Sequence, residues 1–138
     1  MIVVDEYLAI RSLLGMLPDV LPDEQLAITS SAHWRLLQRL HAPSGGQLSQ
    51  ALAALPTPDR EVLRFPRREV LEVVDPRPLL DEAAQIAARF GNTGLLIAET
   101  AAAGLAHGRQ LWFGNPRNIG TRLREIADDL NIAIHVAA

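Results

Sequence analysis

The chain has 138 residues, 49% of them hydrophobic, enough for one buried core and a single domain over residues 1–138. It contains no cysteine, which excludes disulfides and thiolate chemistry, and its formal net charge of -3 argues against general coating of nucleic acid. No segment approaches the roughly 18 uninterrupted apolar residues of a membrane span, and no basic region precedes the first apolar run, so a cytoplasmic protein is expected.

Ile2-Val3-Val4 is a β-branched run followed by Asp5-Glu6 and then by Tyr7, Leu8, Ile10, Leu13 and Leu14 at helical spacing, which reads as strand, acidic turn, helix. Pro18 and Pro22 interrupt the chain. Leu26 to Ser31 then reads as a short strand leading into a serine-capped helix that runs to about His41. Pro43-Ser44-Gly45-Gly46 is a loop, Gln47 to Leu55 a short helix, and Pro56-Thr57-Pro58-Asp59 opens another helical segment with Thr57 or Asp59 as its cap.

Val70 to Val74 reads as a strand or an extended connector, and Asp75-Pro76 introduces a helix over Leu79 to Phe90 that Gly91-Asn92 ends. Leu95 to Ala106 is a helix so rich in alanine that it must pack closely, with Gly104 permitting a nearer approach still. Gln110 to Phe113 reads as a strand, Gly114-Asn115-Pro116 as a turn, Thr121 to Leu130 as a helix and Ile132 to Val136 as the last strand. Such alternation calls for an α/β fold, a three-layer sandwich with a central, mostly parallel sheet flanked by helices, and for ligands at the carboxyl ends of its strands. Asp5 and Asn115 both fall just past strand ends. Neither Ser44-Gly45-Gly46 nor Gly114-Asn115-Pro116 has the residues of a phosphate-binding glycine loop.

All 13 basic residues are arginine. Residues 26 to 68 carry Arg35, Arg39, Arg60, Arg64, Arg67 and Arg68 against only Asp59 and Glu61. That stretch is either a solvated face with ordinary ion pairs or a docking surface for phosphates or an acidic partner segment. The four histidines, His33, His41, His107 and His135, sit on different elements without a nucleophile or ligand spacing, which points to surface or helix-end roles and away from zinc. Trp34 and Trp112, on an apolar helix and in a strand, read as core residues before they read as base-stacking ones.

Three blocks in this order resemble the PIN domain, especially the VapC-type ribonuclease toxins of bacterial toxin-antitoxin pairs. They are Met1-Ile2-Val3-Val4-Asp5 with its following helix; Leu71 to Asp75 leading through Ala83–Arg89 to Leu95-Leu96-Ile97-Ala98-Glu99-Thr100-Ala101; and His107 to Asn115 with the closing helix and strand. The resemblance implies a PIN-like sandwich and a magnesium-dependent endoribonuclease, manganese being the alternative ion. It also implies an antitoxin-like partner whose tail crosses the active-site groove, RNA as substrate if the site is active, and a homodimer. The family's chemistry needs clustered carboxylates, because magnesium takes hard oxygen ligands and the ion activates water and offsets charge on the scissile phosphate.

Asp5 matches the first acid and is the expected metal ligand. The second acid falls near Trp34 or Arg35, the third on Gly94 or Ile97, and the fourth on Asn115, which offers one neutral oxygen. Glu6 and Glu99 are the substitutes within reach, Glu99 sharing a helical face with Asn92. Each has a structural reading too: Asp5 as helix N-cap, Glu6 at the positive end of the first helix, Glu99 paired with an arginine. The catalytic candidates are thus Asp5, Glu99 and Asn115, and Arg117 and Arg35 are the candidate phosphate or RNA contacts, each with a plain reading as a solvated or ion-paired arginine. Two functions follow: a VapC-like endoribonuclease with an altered acidic site, or a catalytically inactive PIN-like module that holds a partner protein.

Overall fold

The computed structural model of the chain describes residues 1–91 and 93–138. Asn92, expected at a helix end and on the Glu99 face, lies outside the described residues. Strands β1 (Ile2–Val4), β2 (Leu26–Thr29), β3 (Leu71–Val74), β4 (Gln110–Phe113) and β5 (Ala133–Val136) form one sheet in the order β3-β2-β1-β4-β5. Every pairing is parallel, which bears out the expected parallel central sheet: among the described residues it is parallel throughout. Val3 is in register with Ala27 on one side and Leu111 on the other, which sets β1 at the centre.

Parallel neighbours need crossovers, and the helices supply them. Helix α1 (Glu6–Leu13) joins β1 to β2. Helices α2 (Ser30–His41), α3 (Gln47–Ala53) and α4 (Thr57–Arg64) lie between β2 and β3; α5 (Leu80–Phe90) and α6 (Leu95–Ala106) between β3 and β4; and α7 (Thr121–Leu130) between β4 and β5. The period-2 alternation of the strands sorts their side chains into two layers. Val3, Ala27, Leu111 and Phe113 pack against α5, α6 and α7, whereas Ile2, Val4, Leu26, Ile28 and Trp112 pack against α1. A third cluster, Ile10, Leu36, Leu48, Leu52 and Leu63, ties α1 to α2, α3 and α4. Among the described residues, no helix is long and apolar enough to cross a membrane.

Several local expectations are corrected. The N-cap of α2 is Thr29, whose hydroxyl accepts from the Ala32 amide at 3.2 Å, and not a serine. Helix α4 starts after Pro56 with no side-chain cap, so neither Thr57 nor Asp59 takes that role. Trp34 is 67% exposed rather than buried, because Ala32 and Leu36 define the inward stripe of α2 and position 34 points off it. Trp112 is buried as expected, its ring stacked 4.4 Å from that of His135. Gly104 does bring α6 against the sheet: a Cβ there would stand 3.1 Å from Leu111 Cδ2.

The site follows from this topology. From β1 the chain winds outward through β2 to β3, then returns to the other side of β1 for β4 and β5. The direction therefore reverses between β1 and β4, and a crevice opens beyond their carboxyl ends. Asp5 leaves β1 into that crevice, and the segment from Gly114 to Asn118 leaves β4 beside it.

Candidate functional site

Asp5 is buried, and both its carboxylate oxygens accept hydrogen bonds. Its Oδ1 accepts from the Leu8 amide at 2.9 Å, capping α1, and from the Gly114 amide at 2.9 Å, fastening the end of β4 to the end of β1. Its Oδ2 accepts from Asn118 Nδ2 at 3.3 Å. Burial pushes the Asp5 carboxyl up to about 6; the Leu8 and Gly114 amides oppose that rise, the neighbouring Glu6 charge adds to it, and Asn118 opposes it. The close approach requires glycine at 114, since a Cβ there would lie 2.9 Å from Tyr7 Cβ and 3.1 Å from the Leu8 nitrogen.

Glu6, in the first turn of α1, is also buried. Its Oε2 accepts from Asn118 Nδ2 at 2.8 Å, and its Oε1 lies 3.4 Å from the Arg35 guanidinium. Arg35 in turn donates to Asn118 Oδ1 at 3.1 Å. The Asn118 amide is therefore the hub, with its nitrogen toward two carboxylates and its oxygen toward a cation. Asn118 stands in the short 3-10 turn Pro116–Asn118 after β4, and the sequence reading missed it. The signal was a second asparagine three residues after Asn115 in the same polar strand-end turn.

The remaining candidates are not brought to Asp5. Glu99, 1% exposed, aims its Oε1 at the start of α2, accepting from the Ser30 amide at 2.9 Å and the Ser30 hydroxyl at 2.8 Å. Its expected arginine partner is replaced by a helix N-terminus, where backbone N–H groups lack intrahelical acceptors and favour negative charge. Asn115 accepts from the Arg117 amide at 3.0 Å and donates from Nδ2 to Gln47 Oε1 at 2.7 Å, so it shapes the turn and joins it to α3. His33 sits on α2, half-buried, with its pKa lowered by burial against a smaller opposing effect of the Leu63 carbonyl. His41 is exposed and His107 half-buried.

A cavity of about 280 Å³ opens beside this network. Leu96, Ile97, Leu111, Trp112, Phe113 and Leu123 form its apolar wall, and Asp5, Glu6, Arg35, Thr100, Arg117 and Asn118 its polar part. A second hollow of about 240 Å³ continues from it, sharing Arg35, Arg117 and Asn118 and adding Arg39, the Gly45-Gly46 loop and Gln47.

The residues present do not fit a magnesium ion. Among the described residues no group of three or more histidine, aspartate or glutamate side chains is placed to hold a metal. Of the two carboxylates that do adjoin, Asp5 already accepts three hydrogen bonds and Glu6 faces Arg35. Magnesium demands near-octahedral oxygen donors at short range, and a guanidinium in the same space opposes it.

Fold and site together define a parallel α/β domain with a buried, hydrogen-bonded acid at its topological switch point. No family model matches the chain, and neither a curated protein nor a solved structure matches it.

Proposed function

We propose that the chain is a PIN-like domain, of the VapC-like kind, that holds a partner protein in the crevice at the carboxyl edge of its sheet instead of cleaving RNA there. One observation carries this reading: Arg35, on the helix where the resemblance expects a second acid, reaches Glu6 and Asn118 and sets a fixed positive charge beside the carboxylates that a catalytic cation would need. A module that binds rather than cleaves needs a rigid crevice with apolar wall and charged rim, and the 280 Å³ cavity supplies both. On this reading the protein acts in the cytoplasm with an antitoxin-like partner.

The nuclease alternative keeps one specific support, the adjacent carboxylates Asp5 and Glu6 at the end of the central strand. It requires Arg35 to leave Glu6 and a further acid to arrive. The deciding experiment incubates the purified chain and its Asp5→Ala variant with labelled structured RNA in magnesium or manganese. The binding reading expects no metal-dependent cleavage by either; metal-dependent cleavage that Asp5→Ala abolishes would establish the nuclease instead.

A further inference from the structure

We infer that the segment held in this crevice is acidic, with an apolar side chain entering the cavity while its carboxylates meet Arg35, Arg39 and Arg117; the inference rests on the binding reading above. Both hollows share Arg35, Arg117 and Asn118, so one extended segment can run from the apolar wall into the second hollow without leaving the surface. The second hollow is the charged part. Arg39 is held in place by the Ser44 hydroxyl at 2.8 Å and has no carboxylate partner among the described residues. Arg117 is exposed and likewise forms no ion pair among the described residues. Arg35 spends a single long contact on Glu6. Three guanidiniums facing one hollow, in a chain of net charge -3, form a local field that calls for an anion of planar, bidentate geometry.

A carboxylate-bearing peptide suits this site better than a nucleic-acid strand. A strand carries a phosphate at every nucleotide, and at the junction of the two hollows it would set one against the buried Asp5–Glu6 pair. A peptide varies its side chains along its length, so it can place an apolar residue beside Asp5 and against Leu96 and Phe113, and carboxylates only where the arginines stand.

The test titrates the isotope-labelled chain, at low salt, with a capped peptide in which one leucine is flanked on each side by two glutamates. Its glutamine counterpart and an oligouridylate serve as comparison probes. The expected result is saturable binding that shifts the Gly114 and Asn118 signals and weakens at least about tenfold for the glutamine peptide and for Arg117→Glu, a change at an exposed side chain with no ion pair to break among the described residues. Three results overturn the inference: binding indifferent to Arg117→Glu, oligouridylate binding in place of the peptide, or no binding of either. If any of these occurs while no metal-dependent cleavage is seen, the non-cleaving reading stands and only the acidic partner is lost. Cleavage abolished by Asp5→Ala removes both.

Discussion

Asp5 caps α1, latches β4 to β1 and shares Asn118 with Glu6, and these duties are performed by a carboxyl whose affinity for its proton is raised by burial. Below its ordinary value of 3.8 the group is protonated in folded and unfolded chains alike. Between there and about 6 the folded chain keeps the proton while the unfolded chain releases it, so stability falls as pH rises through that window and stays lower above it. The shift corresponds to about 3 kcal/mol. Denaturant titrations of the native chain and of Asp5→Asn across pH 4 to 7 should diverge by about this amount, the native chain losing the more on going from acid to neutral. A constant difference between the two would contradict the assignment.

At this scale the sequence was half legible. Asp5 was picked out because an acid straight after a β-branched run must sit at a strand end, and its N-cap reading is the geometry found. Asn118 escaped, because its partners lie 83, 112 and 113 residues away and the local signal, a second asparagine in the turn after Asn115, does not reveal them.

Among the elements, the join between α6 and α2 depends on Glu99. A buried carboxylate at a helix N-terminus satisfies donors that the helix cannot, and losing it leaves the part-buried Ser30 amide and hydroxyl without their acceptor. Glu99→Ala should therefore cost about 3 kcal/mol, whereas Glu99→Gln, which keeps an acceptor oxygen, should cost only about 1. Urea unfolding measures both, and equal losses would contradict the role given to the acceptor oxygen. The bounds of α6 and α7 were legible to the residue because Gly94 and His107 flank the first, a nearly continuous apolar run, and Gly120 and Asn131 flank the second, where apolar residues recur at helical spacing. The caps of α2 and α4 were not, since Thr29 and Ser30 are equally good capping types and only the backbone geometry chooses between them. Trp34 was misjudged because the helix was read as apolar without assigning its face; its position two residues from both Ala32 and Leu36 already set it outside the buried stripe.

For the whole molecule, alternation of strands and helices gave the layers and the parallel sense, because crossover helices leave few other arrangements. The strand order did not follow from it, since which edge receives β4 depends on contacts over a hundred residues apart in sequence, such as Val3 with Leu111. That order places the crevice on which the proposed function rests. The central claim is that Arg35, Asn118 and the Asp5–Glu6 pair form a closed polar network with no place for a divalent ion. The direct test is titration of the labelled chain with manganese, followed by paramagnetic broadening of the Gly114 amide and the Asn118 side-chain amide. The account predicts no saturable broadening at these positions. Saturable broadening centred there and lost in Asp5→Asn would reveal a metal site and contradict it.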